Sequence, residues 1–135
     1  MKKEMTTVTQ KISVLLVEDT MLARKMACLI LTQLNCDVEA VSTSQAALAM
    51  LAQKTFDLIV TDVGLPDVDG FFLVREIRKN SFRNQNIPIV MLSAHSDQQT
   101  IDNAFKAGAT EFLVKPLDKK AGLEILKKHV FTQHG

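Results

Sequence analysis

Short aliphatic runs alternate along the chain with longer stretches in which apolar positions recur every three or four residues. Ile12 to Val17 is nearly all aliphatic, as a strand covered on both faces should be. Leu22, Met26, Leu29, Ile30 and Leu34 then recur at helical spacing, which predicts a helix that buries them, with Thr20 as its cap and Asn35 as its stop. Asp37 to Val41 alternates polar with apolar and predicts an edge strand. Ser42, Thr43 and Ser44 supply the cap of a short second helix carrying Ala47, Leu48 and Leu51. Leu58 to Thr61 predicts a buried third strand that Gly64 and Pro66 prevent from continuing as a helix. Phe72, Leu73 and Ile77 mark a third helix, which fades in the polar stretch Lys79 to Asn86. Ile87 to Leu92 reads as a fourth strand, with Pro88 at its start, where a missing N–H is tolerated. Ser96 or Asp97 caps a fourth helix with Ile101, Ala104 and Phe105 inward, and Gly108 ends it. Glu111 to Val114 is a fifth strand, and Asp118 caps a last helix with Leu123, Leu126 and Val130 as its apolar stripe.

Strands and helices in strict alternation imply an α/β fold: a doubly wound, five-stranded parallel sheet with five helices on its two faces. A length of 135 residues suits one domain, here expected over residues 12–132, with residues 1–11 as a flexible leader or linker remnant. That leader has two lysines but no apolar segment after them, and no run of 18 apolar residues occurs anywhere, so neither a secretion signal nor a membrane span is expected. A net charge of +1 gives no electrostatic case for direct nucleic-acid binding. Cys28 lies in the first helical pattern and Cys36 just beyond it, and both are expected to be small apolar residues in a reducing cytoplasm. The sequence ends after the fifth predicted helix, and no output domain is expected within it.

Candidate chemistry collects at the carboxyl ends of the strands, where open parallel sheets bind ligands. Glu18 and Asp19 follow the first strand, Asp62 the third, Ser93 the fourth and Lys115 the fifth. Side by side, these strands would bring three carboxylates, a hydroxyl and an ammonium to one edge. Crowded carboxylates repel one another unless a cation is present, which argues for a site.

The ordered set VLLVEDT, LIVTDVGLPDVDG, strand-then-SA and strand-then-KP resembles the receiver domain of two-component signalling, a flavodoxin-like fold, over nearly the whole chain. The resemblance implies a signalling phosphoacceptor that acts on no other substrate. Asp62 would take a phosphoryl group from a histidine kinase or a histidine phosphotransfer protein. Glu18, Asp19, Asp62 and the main-chain carbonyl of Gly64 would hold Mg²⁺ or Mn²⁺. Lys115 and Ser93 would contact phosphoryl oxygens, and Ser93 and Phe112 would form the switch. Gly64 and His95 would flank the hydrolytic water and tune the lifetime. The output face would be the fourth helix, fifth strand and fifth helix, including Lys119, with a homodimer as one use of it. The segments GLPDVDG and LSAH look similar to receivers attached to hybrid kinases, and Pro116 would follow a cis bond as in the family's Lys-Pro pair.

Blander roles are expected elsewhere. Asp67 and Asp69 read as turn residues and a helix cap, and His129 and His134 as bystanders. Lys119, Lys120, Lys127 and Lys128 read as a solvated face. Two rival functions remain. A receiver-like interaction module without phosphorylation would not need the intact set Glu18, Asp19, Asp62, Ser93 and Lys115. A flavin binder should carry a Gly- and hydroxyl-rich phosphate loop after the first strand, where Glu18 and Asp19 would instead repel a phosphate.

Overall fold

Five aliphatic runs pair as β1 (Ile12–Val17), β2 (Cys36–Val41), β3 (Leu58–Asp62), β4 (Ile89–Ser93) and β5 (Glu111–Val114), all parallel, in the spatial order β2-β1-β3-β4-β5. The computed structural model describes residues 11–80 and 85–131. Residues 1–10 of the expected leader, 81–84 of the polar stretch, and 132–135 with His134 lie outside the described residues. Helices α1 (Met21–Gln33), α2 (Ser44–Gln53), α3 (Gly70–Asn80), α4 (Gln98–Ala107) and α5 (Lys119–Ile125) alternate with the strands, and α5 continues as π-helical turns over Leu126–Phe131. This is the doubly wound arrangement that the alternation predicts.

Side chains along a strand point to opposite faces, and the core divides accordingly. Leu15, Val17, Ile59, Ile89 and Met91 pack with Ala47 and Leu51 of α2, Leu73, Val74 and Ile77 of α3, and Ala104 of α4. Val14, Leu16, Leu58, Val60, Val90 and Leu92 pack on the other face with Ala27 and Leu31 of α1 and Ile125, Leu126 and Val130 of the last helix. The strand order reverses next to β1, which has β2 on one side and β3 on the other. Val17 is therefore in register with Thr61, and the residues that follow β1 emerge beside Asp62.

Helix ends follow the expected chemistry with one exception. Thr43, Asp97 and Asp118 accept amide hydrogen bonds at the starts of α2, α4 and α5. Thr20 holds the cap position of α1, but its side chain makes no capping bond. Gly108 ends α4 with φ 118°, a left-handed value that favours glycine, and Asn35 follows α1 with φ 67°.

The inward face of α1 differs from the sequence expectation. Leu22, Met26 and Leu29 are 72%, 54% and 53% exposed, and the buried positions are Ala27 and Leu31. Ala27 and Leu31 lie four residues apart on one face of the helix, and that face packs on the sheet, which leaves Leu22, Met26 and Leu29 on another face. Phe105 and Leu123 likewise point outward rather than into the core. Cys28 is half-buried and Cys36 is a buried residue of β2, and both are free thiols. Among the described residues, no helix is long and apolar enough to cross a membrane.

Candidate metal and phosphoryl site

β1 and β3 leave the sheet side by side, and their ends carry the acids. One ligand atom from each of Glu18, Asp19 and Asp62 lies within 4.8 Å of the others. Oxygens around a six-coordinate hard cation, each about 2.1 Å from it, stand roughly 3–4 Å apart, so a small closing of this group would let all three carboxylates reach one such ion. Glu18 and Asp62 are buried, and Asp19 is exposed at the rim. Lys115 reaches in from the end of β5, with Nζ 2.7 Å from Asp62 Oδ1 and 2.9 Å from Glu18 Oε1. The Thr20 amide donates to Glu18 Oε2 at 3.1 Å. Arg24 donates to the Glu18 and Asp19 carbonyls at 2.9 and 3.3 Å, fixing the turn that presents both acids.

One ammonium faces two buried carboxyls, so the pair carries more negative charge than Lys115 can balance. Burial has the largest influence on Asp62; together with Glu18 it outweighs the pull of Lys115 and pushes the Asp62 carboxyl up to about 7. Burial acts on Glu18 in the same sense, but hydrogen bonds with Lys115, Asp62 and the Thr20 amide hold it below the usual range. Lys115 is raised, because its two carboxylate partners outweigh its burial. A divalent cation would relieve the excess charge. An all-oxygen donor set of this kind suits Mg²⁺ or Mn²⁺.

The loop after Asp62 is shaped by close backbone approach. The Val63 amide donates to the Leu92 carbonyl at 2.9 Å, and the Gly70 amide to the Val63 carbonyl at 2.6 Å. A Cβ on Gly70 would run into the Asp62 carbonyl oxygen, so only glycine lets α3 start this close to β3. Gly64 is exposed, with nothing within 4 Å of where its Cβ would be.

The sequence model of the response regulator receiver domain matches residues 14–127. The chain belongs to this family. It is 32% identical to the response regulator protein FleR of Pseudomonas aeruginosa over 120 residues, which cover 89% of this chain and 25% of FleR. It is 31% identical to the sensor protein EvgS of Escherichia coli O157:H7, over 95% of this chain and 10% of EvgS. The receiver therefore spans a quarter or less of the length of these two relatives. Among solved structures, the chemotaxis response regulator CheY4 of Vibrio cholerae superposes with a TM-score of 0.81 at 30% identity, covering 88% of this chain and 98% of that one. The receiver domain of the sensor histidine kinase PA1611 from Pseudomonas aeruginosa, solved with a magnesium ion coordinated in its active-site cleft, gives 0.83 at 28% identity over 90% and 98% of the two chains.

Ser93 and Phe112 lie on β4 and β5, and His95 and Pro116 follow those strands. Ser93 is buried at the end of β4, and its Oγ accepts the His95 amide at 3.0 Å, which leaves its O–H to donate elsewhere. Phe112 is half-buried and packs against the core on the α3–α4 side. His95 is exposed, and the Lys115-Pro116 bond is cis. Asp69 caps α3 through the Phe72 amide at 2.8 Å, whereas Asp67 binds the start of α2 instead. His129 Nε2 lies 3.0 Å from Glu111 Oε2, beside Lys128 Nζ at 3.1 Å, a contact the sequence reading did not foresee. Sequence reading also missed Arg24, whose bonds to two loop carbonyls have no pattern of their own in the sequence.

Proposed function

We propose that this receiver accepts a phosphoryl group on Asp62 from a phosphohistidine in a Mg²⁺-dependent reaction. The observation that carries the reading is the group of three carboxylates within 4.8 Å of one another, two of them bridged by Lys115. An Asp62 carboxylate oxygen forms the new bond to phosphorus as the donor's N–P bond breaks, and the released imidazole takes a proton from solvent. Glu18, Asp19, Asp62 and the Gly64 carbonyl would hold the cation, which supplies charge neutralisation to the phosphoryl oxygens. Lys115 then gives up its ion pair with Asp62 and pairs with a phosphoryl oxygen, while Ser93 donates its hydroxyl to another. Both cysteines are free, which suits work in a reducing cytoplasm.

The donor is a histidine kinase or a histidine phosphotransfer protein. It approaches over the start of α1, where Met21 and Leu22 stand exposed beside Asp19. Inclusion in a longer hybrid kinase accords with the small share of EvgS that the chain covers.

Asp62→Asn keeps the shape and removes the nucleophile. Acetyl phosphate with Mg²⁺ should add one phosphoryl mass to the unaltered protein and none to the variant. Equal labelling would remove Asp62 from the role, and no labelling of either would favour an interaction module. Two finer parts of the reading use the same labelled sample. His95 should govern the phosphoryl lifetime, since Gly64 has no side chain to shield the site; an unchanged decay in His95→Ala would return it to an ordinary loop residue. Phe112 should turn inward behind Ser93 and alter the α4–β5–α5 face, including Lys119 and any dimer contact there; amide shifts confined to residues 62–70 would remove that switch.

A further inference from the structure

The loop from Val63 to Asp69 is anchored at a point that the phosphoryl chemistry does not require. Asp67 reaches across to α2, where Oδ1 accepts the Ser44 amide at 3.1 Å and Oδ2 accepts the Gln45 amide at 2.9 Å. The Ser44 side chain is buried and its hydroxyl donates to the Val68 carbonyl at 3.5 Å, so the two segments hold each other in both directions. The helix's own cap, Thr43, takes only the next amide, that of Ala46, at 3.0 Å. Two of the first free amides of α2 are thus satisfied by a carboxylate from another loop, 22 and 23 residues away.

That carboxylate stands three residues after Gly64, whose carbonyl is the one main-chain ligand of the proposed cation site. Gly64 brings no side-chain anchor of its own, and glycine gives the backbone there its widest freedom. A carbonyl ligand on a free backbone must be ordered at the moment of binding, which weakens the affinity it contributes. A two-point clamp on rigid helix amides removes much of that freedom beforehand.

We propose that Asp67 is a positioning residue of the cation site: it clamps the Gly64 loop to the first turn of α2 and so presets the Gly64 carbonyl. This rests on the cation reading given above. The clamp works in both directions, so filling the site should be felt at the Ser44 and Gln45 amides, on the opposite side of the loop from the α4–β5–α5 face.

Mg²⁺ titrations followed by calorimetry and by amide NMR test the clamp. In the unaltered protein, the Ser44 and Gln45 amides should move with the same midpoint as those of residues 62–70. Asp67→Ala should weaken Mg²⁺ binding roughly tenfold, the low end for losing a group that orients a ligand, and should silence the response of those two amides. Asp67→Asn keeps one acceptor oxygen and should restore most of the affinity. Thr43→Ala is the control for helix stability, because it removes a cap of the same helix and leaves the clamp intact; its Mg²⁺ affinity should not change. Equal affinity in Asp67→Ala and the unaltered protein would overturn the proposal, as would an equal loss in Thr43→Ala. If the unaltered protein itself bound no Mg²⁺, the cation site would fall and this inference with it. If it bound Mg²⁺ and the Asp67 variants matched it, only the clamp would fall.

Discussion

The ammonium of Lys115 lies 2.7 Å from Oδ1 of Asp62, the carboxyl on which the proposed chemistry depends. It also lies 2.9 Å from Glu18, so in this arrangement it acts as the counter-cation of both buried carboxyls. Lys115→Met keeps the aliphatic stem and removes the charge. Without Mg²⁺, the variant should be less stable by about 2–3 kcal/mol, below the full cost of breaking a buried pair because Lys115 is partly exposed. Saturating Mg²⁺ should return most of that loss. By linkage, Mg²⁺ must then bind the variant more tightly than the unaltered protein, by roughly tenfold for each 1.4 kcal/mol recovered. The chain has no Trp or Tyr, so denaturation would be followed by far-ultraviolet circular dichroism. A stability deficit of the same size with and without Mg²⁺ would sink the idea that ammonium and cation serve the same carboxyls.

The exposed side of α1 gives a second prediction. Leu22, Met26 and Leu29 recur at helical spacing and stand more than half exposed along the helix that starts two residues after Asp19. Leu22→Ser with Met26→Ser should slow phosphotransfer from a phosphohistidine protein roughly tenfold, the size of effect expected for removing a central contact. Labelling by acetyl phosphate, which needs no docking face, should not change. Stability should shift by no more than about 1 kcal/mol for the two substitutions together, since both side chains are already exposed and serine is only a slightly poorer helix former. If the two donors are slowed equally, the face has no part in docking.

Glu111 carries a prediction about pH. Burial alone would raise its carboxyl, but hydrogen bonds from His129 and Lys128 outweigh burial and leave it below the usual range. A carboxyl depressed in the folded state stabilises the fold above its unfolded pKa, and that stability is lost as pH falls through the folded value. Glu111→Gln should therefore cost about 0.5–1 kcal/mol at pH 7, a modest figure because Lys128 is largely exposed, and the gap should close as the pH is lowered through and below the ordinary glutamate range. Urea midpoints of the two proteins at neutral and acid pH would measure it. A constant gap would mean that packing, and not charge, holds the last helix to β5.

The fold was legible because a parallel sheet covered on both faces writes its central strands as aliphatic runs, and β1, β3 and β4 are such runs. The acidic corner was legible for a related reason: strand ends in an open sheet fall at one edge, so Glu18, Asp19, Asp62 and Lys115 could be brought together by topology alone. The inward face of α1 was not. Apolar residues occur most of the way round that helix, and helical spacing cannot distinguish a stripe that packs from one that is presented. The partners of Asp67, of Glu111 and of Arg78 were not legible either. Arg78 donates to the carbonyls of Gln85, Ile87 and Gly108, and its position in the sequence offers no hint that it ties α3, β4 and α4 together. Such contacts join loops that sequence separation keeps apart, and only the folded path brings them into reach.

Two glycines, one in the loop after β3 and one at the first position of α3, face opposite futures under mutation. At position 70 any side chain collides with the backbone at the end of β3, so a saturation library should retain glycine there and little else. At position 64 the space is open, and alanine, serine or asparagine should all be accepted, each presenting a different group near the phosphoryl position. If the proposed phosphoryl chemistry holds, lineages descending from this chain could lengthen or shorten the duration of its signal by changing one codon at 64 while the codon at 70 stays fixed. The acceptor loop would then keep time by a part that can be exchanged, mounted on one that cannot.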